Sequence, residues 1–502
     1  MDIQGILEGF ATVLRPENIL FVVFGGFLGT IVGMLPGLGP ATAIAVLIPV
    51  TFGMDPTSAL ILMATIYYGA MYGGSLSSIL INTPGDGSAV AATFDGYQMA
   101  KAGRAGPAIA ITAIGSLIGG FVAVIGFMFL AKPLSNFALQ FGPAEYFLLM
   151  LFTLSAVVSL SIGNMTKGFI SMGLGLVLAT VGIDLQTGVH RFTFGNVHLS
   201  DGINFLVIII GIYAVGEILY NYLTIDRPVG KKNKLGRVWI TKDDWKRSKW
   251  PMFRSSPLGF IVGILPGAGG AIASLMAYST EKQLSKRPEE FGKGAIEGLA
   301  APETANNSAA VGAFVPLLTM GIPGSGTTAV MLGALVMLGV KPGPLLFESD
   351  PNMVWSLIDS LFLGNIFLFL INVLMVGVFV KILDVPAKVL YPIILVLAFI
   401  GAYTMNYTIL DFYILIIFGV IGLFLKLYDF PIAPMILALI VGTDMEQNFR
   451  KSIVAGHGNL DIFVSSPISI TLLILTLLSL TYPIFMNRRR KKKTDLNENT
   501  SL

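Results

Sequence analysis

The stretch "GMLPGLGPATA", from Gly33 to Ala43, decides the fold of this chain, because it places two prolines and three glycines inside an apolar segment. Proline removes a backbone donor and clashes with the preceding helical turn, and glycine loosens the helix further. The stretch "GILPGAGGAIA", from Gly263 to Ala273, repeats this pattern 230 residues later. The sequence therefore predicts that a helix is interrupted at equivalent places in two halves of the chain.

The composition places these interruptions in a membrane. The chain has 502 residues, of which 54% are hydrophobic and only 12% are charged, whereas about a quarter of a soluble protein is charged. Apolar stretches long enough to span a bilayer recur at 108–130, 205–223, 361–380 and 468–486. Because backbone groups in lipid must be hydrogen-bonded within the segment, the expected fold is an all-α polytopic membrane protein. The absence of cysteine excludes disulfides and cysteine metal sites.

Two basic clusters predict which side of the membrane the chain faces. Residues 226–254 contain ten Lys and Arg against three Asp, and "NRRRKKK" begins at Asn487. Lysine and arginine are enriched in cytoplasmic loops, so both clusters are expected in the cytoplasm. Their charges are interpreted as solvated topology signals, and no nucleic-acid partner is expected.

The chain divides into five predicted segments. Residues 1–16 carry apolar side chains at helical spacing and predict an amphipathic helix at the membrane interface. A first repeat covers 17–225, a basic cytoplasmic linker 226–255 and a second repeat 256–487, and a basic cytoplasmic tail covers 488–502.

The two repeats are expected to be inverted relative to each other. The first interrupted segment has acidic flanks and the second has basic flanks, so each is expected to enter and leave on one side as a re-entrant hairpin. A broken helix follows in each half, at "TPGDGSAV" from Thr83 and "IPGSGTTAV" from Ile322. About ten spans plus two hairpins give each half an odd number of crossings, which is the inverted-repeat plan of secondary transporters.

The interruptions expose backbone groups that can bind ions. A half-helix that ends leaves free carbonyl groups for a cation, and one that begins offers N–H groups and a positive dipole end for an anion. Asp86 and Glu303 are the suspect intramembrane carboxylates, each expected to bind Na⁺ or carry a proton. An equally weighted interpretation has Asp86 capping a half-helix and Glu303 bonding to a neighbouring helix.

The predicted substrate and cation site combines glycines of the interruptions with the hydroxyl, amide and carboxyl groups beside them. Its residues are Gly37, Gly39, Thr42, Asn82, Thr83, Gly85, Asp86, Gly87, Ser88, Gly267, Gly269, Glu303, Thr304, Asn306, Asn307, Ser308, Gly324, Ser325, Gly326 and Thr327. No catalytic residue and no cofactor other than the coupling cation is expected.

These motifs closely resemble the large membrane subunit of the tripartite tricarboxylate transporter family. The resemblance includes "GMLPGLGPATAIAVLIPVTFGMDP" and "GAIEGLAAPETANNSAAVGAFVPLLTMGIPGSGTTAVMLGALVMLGVKPGP", and it extends over nearly the whole chain. It implies a permease in a bacterial inner membrane that works with a small membrane subunit of about four helices and a periplasmic substrate-binding protein. It further implies symport of citrate or another carboxylate, driven by a Na⁺ or proton gradient.

Other functions fit the sequence less well. A self-sufficient cation-coupled carboxylate carrier, working without a binding protein, has the same core and stays an alternative. An intramembrane enzyme is disfavoured because the three histidines fall in predicted loops. An ATP-driven pump is disfavoured because no G-x-x-x-x-G-K-[ST] motif occurs. A passive channel fits paired broken helices less well than an alternating site does.

Overall fold

The computed structural model of the chain describes residues 2–35, 37–160, 165–184, 186–224, 235–383, 385 and 387–481. Helices make up almost all of their regular structure. The first half holds one short antiparallel pair of strands, β1 (Gly182–Ile183) and β2 (His190–Arg191). The helices of the first half are α1 (Ile3–Val13), α2 (Pro16–Gly33), α3 (Pro40–Leu47), α4 (Pro56–Ile81), α5 (Val90–Lys101), α6 (Ala105–Ala138), α7 (Pro143–Leu160), α8 (Met165–Ala179), α9 (Phe205–Ile210) and α10 (Gly216–Thr224).

The second half begins with a helix that includes part of the basic linker. Its helices are α11 (Lys242–Ile264), α12 (Gly269–Leu284), α13 (Glu297–Gly312), α14 (Phe314–Met320), α15 (Gly326–Met337), α16 (Leu346–Ser349), α17 (Pro351–Leu374), α18 (Val376–Ile382), α19 (Ala387–Asn406), α20 (Ile409–Leu427), α21 (Ile432–Ala455) and α22 (Pro467–Thr481). The predicted cytoplasmic tail, 488–502, and residues 226–234 of the predicted linker lie outside the described residues.

The chain is a polytopic all-α membrane protein. Eight of the described helices are long and apolar enough to cross a bilayer, where the sequence predicted about ten spans. One of the eight is Phe205–Thr224, in which the π-helical residues Gly211–Val215 join α9 and α10. The difference lies in predicted spans that form shorter helices: α8 has 15 residues, and only the part of α22 up to Thr481 is described. The inverted orientation of the halves and the re-entrant course of the hairpins stay predictions.

Prolines and side-chain caps set several helix starts. Pro16, Pro40 and Pro56 occupy the first turns of α2, α3 and α4, where no backbone N–H is needed. The linker helix α11 begins earlier than the basic composition suggests, because Thr241 and Asp244 form a capping box. The predicted boundary between the linker, 226–255, and the second repeat, 256–487, therefore falls inside the continuous helix α11.

The described chain forms two compact units. The first contains the described residues of 2–139 and 204–428, and the second contains those of 140–203 and 429–481. The first unit takes in both sequence motifs and parts of both predicted repeats. The second unit contains α7, α8, the strand pair, α21 and α22.

In the first unit, two helix pairs repeat the same glycine-to-backbone packing. A Cβ atom at Gly29 or Gly33 of α2 would lie 2.3 or 2.1 Å from the carbonyl oxygen of Ile66 or Ala70 in α4. Gly259 and Gly263 of α11 meet Ala305 and Ala309 of α13 in the same way, at 2.2 and 2.3 Å. Each pair of contacts is therefore a seam in which two backbones touch, and the packing supports the predicted duplication.

The N-terminal helix α1 packs against α17. A Cβ atom at Gly5 would lie 2.4 Å from Cδ1 of Trp355, and one at Gly9 would lie 2.3 Å from Oδ2 of Asp359. The opposite face of α1 is exposed: Ile3 is 67% exposed. The amphipathic pattern of residues 1–16 thus corresponds to a helix with one face on α17 and one apolar face left open.

In the second unit, a network of ion pairs connects the strand pair to α21. Arg450 of α21 contacts Asp184 at 3.0 Å and Glu446 at 2.5 Å, and Arg191 contacts Glu446 at 2.9 Å. The backbone N–H of Gln186, followed by Arg450, lowers the pKa of Asp184 to about 2, so this carboxylate stays ionised at neutral pH.

Candidate functional site

The first helix break leaves a carboxylate at the start of a half-helix. The long helix α4 ends because Asn82 adopts the left-handed conformation, with φ at 58°, and its N–H donates to the carbonyl of Ser77. The chain then runs extended through Asp86 into the short 3₁₀ turn Gly87–Ala89, which leads into α5. The hydroxyl of Ser88 donates to Oδ1 of Asp86 at 2.6 Å.

The second break has the same plan without a carboxylate. Here α14 ends at Gly321, whose left-handed φ of 73° suits glycine. Ser325 caps α15: its N–H donates to Oγ1 of Thr328 at 2.8 Å, and its Oγ accepts from the N–H of Thr328 at 3.2 Å. The hydroxyl of Tyr67 on α4 lies against Ser325 and Thr327.

The tip of the second predicted hairpin lies between the two breaks. The N–H of Gly267 donates to the carbonyl of Gly324 at 3.0 Å, which joins the tip to the second break. Gly269 of its returning arm, α12, lies beside the second break, and Ala271 of the same arm lies beside the first break. A Cβ at Gly269 would lie 3.7 Å from Cβ of Ser325, and a Cβ at Gly87 in the first break would lie 3.5 Å from Cβ of Ala271.

The tip of the first predicted hairpin has different neighbours. A Cβ at Gly39 would lie 2.8 Å from Cβ of Asp86, so this tip also meets the first break. Gly37, with φ at 80°, instead faces Oε1 of Glu217, from which a Cβ would lie 2.3 Å away. Glu217 belongs to α10 and forms an ion pair with Lys426 of α20.

Glu303 and Asn306 of α13 face this junction. Ser75 of α4 donates to Oε2 of Glu303 at 2.7 Å. The side chain of Asn306 is fully buried, and neither its Nδ2 nor its Oδ1 has a hydrogen-bond partner. A Cβ at Gly270 would lie 2.3 Å from this Oδ1 and 3.2 Å from Cβ of Ser88. The unpaired amide therefore lies beside the hairpin arm and the first break.

Other predicted residues of α13 pack against α6 instead. Asn307 donates through Nδ2 to Oγ of Ser116 at 2.7 Å, and Ser308 donates to the carbonyl of Gly119 at 2.9 Å. A Cβ at Gly119 would lie 2.3 Å from the carbonyl oxygen of Thr304. These three polar residues therefore join two helices, and only Glu303 and Asn306 face the breaks.

The remaining predicted hydroxyls bond locally or elsewhere. Thr42 donates to the carbonyl of Tyr213, and Thr83 donates to the carbonyl of Ile81 in the helix that it follows. Gly85 and Gly324 are places of close backbone approach: a Cβ would lie 2.3 Å from the carbonyl oxygen of Gly33 and 3.0 Å from that of Gly263, respectively.

The junction combines two kinds of binding group. The carboxyl groups of Asp86 and Glu303 are close enough to repel each other when both are ionised. A cation or a proton would relieve that repulsion, and carboxylate, amide and hydroxyl oxygens are suitable ligands for a hard cation. Among the described residues no three His, Asp or Glu side chains converge on a metal site. The starts of α5 and α15 add backbone N–H groups that suit an anion.

Sequence reasoning missed several contacts of the first unit. Gly270 was not recognised, and Ser75 was recognised as a candidate hydroxyl but not as the partner of Glu303, because these contacts depend on the packing of distant segments. The ion pair between the buried Glu217 and the half-buried Lys426 was also missed. A charge in an otherwise apolar stretch was the available signal for both of these residues.

The fold and this junction define a class of protein: a polytopic helical membrane protein whose interrupted helices meet at buried polar groups, as in secondary transporters. The model of the tripartite tricarboxylate transporter TctA family matches residues 19–437, so the chain belongs to that family. The family supplies the large membrane subunit of the transporter, and the chain is a transport protein of this kind.

Two proteins of Agrobacterium vitis are similar to the chain. One, described as an uncharacterized 52.8 kDa protein in the TAR-I ttuC' 3' region, is 43% identical over 491 residues, which are 98% of each chain. The other, described as an uncharacterized protein in the TAR-II ttuC' 3' region, is 39% identical over 234 residues, which are 47% of this chain and 97% of that protein. No solved structure matches the chain significantly.

Proposed function

We propose that the chain is the permease subunit of a binding-protein-dependent secondary transporter that imports tricarboxylates, such as citrate, or related carboxylates. The observation that carries this proposal is the position of the second hairpin tip between the two breaks, with Gly267 bonded to Gly324 and Ala271 beside Gly87. A ligand bound there would contact the N-termini of two half-helices at once. That arrangement suits a substrate with more than one negative charge.

Uptake is coupled to a Na⁺ or proton gradient in this proposal. Helix N-termini carry only partial charge and cannot neutralise a dianion or trianion alone. Asp86, Glu303 and the unpaired amide of Asn306 supply the oxygen atoms for a coupling cation, and the two carboxyl groups are equally able to carry a proton. A co-bound cation then completes the charge balance.

The partners in this proposal are those of the family. A small membrane subunit of about four helices binds the chain in the inner membrane of a bacterium, and a periplasmic protein delivers the carboxylate. Lipid surrounds the exposed apolar faces of helices such as α19 and α20.

The proposal is tested by uptake of radiolabelled carboxylates into proteoliposomes. The purified chain is reconstituted with and without the two partners, under an imposed Na⁺ or proton gradient. We expect accumulation only when both partners and one of the gradients are present. Accumulation without the binding protein would support the self-sufficient carrier, and no accumulation of any carboxylate by the complete system would contradict the proposal.

Asn306→Leu identifies the cation ligands in the same assay. Removing an unpaired buried amide costs no protein hydrogen bond, so thermal stability should be kept while the affinity for the coupling cation falls. Asn307→Leu is the matched control, because it removes the bonds of Nδ2 to Ser116 and to the backbone carbonyl of Glu303 but changes no side chain of the junction. Equal cation dependence in both variants would remove Asn306 from the site.

A further inference from the structure

A second buried acid lies in the first unit, outside the junction of the breaks. Asp359 of α17 is fully buried, and both of its carboxylate oxygens lack a hydrogen-bond partner. The backbone amide of Phe10 in α1 lies beside the carboxyl group. A mid-helix N–H already donates to the carbonyl four residues earlier, so it cannot fully compensate a buried charge.

The N-terminal helix α1 forms the cover of this acid. Gly9 brings the backbone of α1 against Asp359, since a Cβ there would lie 2.3 Å from Oδ2 and 2.7 Å from the carbonyl carbon of Trp355. Gly5 covers the indole ring of Trp355, which is 1% exposed. Thr12 completes the contact by donating to Oδ1 of Asn352 at 3.2 Å.

Among the described residues, no cationic side chain pairs with Asp359 beneath this cover. The helices packed against α17 are α1, α2, α4, α6, α16 and α18. Their charged side chains are all exposed and point away from the buried face: Glu8, Glu17, Lys132, Glu348 and Lys381. Asp2, which caps α1, pairs with Lys132 at 3.3 Å, and α4 carries only tyrosines among titratable residues.

An ionised carboxylate in this place would be strongly destabilised, because it has neither a counter-charge nor hydrogen bonds. The docked state of α1 therefore requires the neutral acid. We propose that Asp359 is a proton-binding site covered by α1, separate from the Asp86 and Glu303 cluster, and that its protonation controls whether α1 is docked on α17.

The proton balance of this switch is simple. With α1 docked, Asp359 holds one proton as the carboxylic acid. When α1 leaves and water reaches the group, the acid loses that proton to water and becomes a carboxylate, which resists covering again. Docking is therefore favoured at low pH and is lost as the pH rises and the acid ionises.

Trp355 reports the position of α1 directly. The chain has four tryptophans, and Trp239, Trp245 and Trp250 can be changed to Phe because they are exposed in the linker region. In that background we measure quenching of the Trp355 fluorescence by acrylamide across a pH series, on the purified full chain. We expect quenching to rise with pH, and we expect Asp359→Asn to keep Trp355 protected at every pH.

Two glycine variants calibrate the signal. Gly9→Ala places a methyl group where no space exists, so α1 should be displaced and Trp355 quenched throughout the series. Gly377→Ala of α18 has no heavy atom within 4 Å of the new Cβ and should behave like the parent chain.

Quenching that does not change with pH in the parent chain would overturn the proposal. The proposal would also be overturned if Asp359→Asn showed the same pH dependence of quenching as the parent chain. This measurement needs neither substrate nor partners. Its failure therefore leaves the proposed carboxylate transport untouched, and a failure to transport leaves the switch untouched.

Discussion

At the scale of single residues, the junction owes its character to groups whose bonding is incomplete. Asn306 has no hydrogen-bond partner for either polar atom. The carboxyl group of Glu303 has four acceptor positions and accepts a hydrogen bond from one hydroxyl. Asn307, one residue further along α13, bonds to Ser116 and holds helices together. The neighbouring asparagines Asn306 and Asn307 thus differ in their hydrogen bonding.

Asp86→Asn tests the role of the carboxylate in the first break. The amide keeps the oxygen that accepts from Ser88 but loses the charge, so the apparent affinity for the coupling cation should fall about tenfold or more, for a loss of roughly 1.5–3 kcal/mol. The measurement is uptake as a function of Na⁺ concentration and of pH, at equal expression.

The control for Asp86→Asn is Asp55→Asn, which changes a carboxylate that only caps α4 by accepting from the N–H of Ser58. Cation dependence that is unchanged in Asp86→Asn would leave Asp86 as a helix cap and assign the cation to Glu303.

At the scale of elements, the returning arm α12 is the piece that joins both breaks. Its glycines allow this closeness, because Gly269 faces Ser325 while Gly270 faces Asn306 and Ser88. Movement of α12 would change the surroundings of both half-helix starts together. If the junction binds a ligand as we propose, that binding is expected to depend on the position of this arm.

Gly270→Ala should disturb the packing of α12 against the two breaks. The added methyl group would lie 2.3 Å from Oδ1 of Asn306, so α12 must shift at a cost of about 1–3 kcal/mol. We expect uptake to fall roughly five- to a hundredfold. Gly173→Ala of α8, which has nothing within 4 Å, is the matched control. Normal uptake by Gly270→Ala would show that this contact carries no function.

The sequence predicted the breaks correctly in position, because proline and glycine act on the backbone at the place where they occur. Asn82 and Gly321 end their helices immediately before the predicted motifs. The contact between Gly270 and Asn306 could not be read in this way, since it depends on the packing of segments far apart in the chain. The capping box of Thr241 and Asp244, which starts α11 inside the basic linker, is a local signal that charge composition alone does not show.

At the scale of the whole molecule, the first unit is built from two glycine seams that match each other along the chain. The seam of α2 with α4 and the seam of α11 with α13 use glycines at corresponding positions. This match supports a duplicated plan. Whether the second copy is inverted in the membrane depends on the sides that its loops face.

Cysteine labelling tests which side of the membrane the first repeat and the linker face, and the chain offers a clean background because it has no cysteine. Lys246→Cys lies at an exposed position of the linker helix, and Val197→Cys lies in the loop before α9, where Val197 is 82% exposed. In spheroplasts, an impermeant maleimide should label Val197→Cys at once and Lys246→Cys only after permeabilisation. Labelling in the reverse order would contradict the predicted topology.

The seams also have a mechanical consequence. Where two backbones touch there is no layer of flexible side chains to shear, so α2 with α4 and α11 with α13 should each behave as a stiff beam. Bending is then expected in the chain outside these beams, and the left-handed residues Asn82 and Gly321 are two candidate pivots. A pivot there would move the same backbone that we propose binds the ligand.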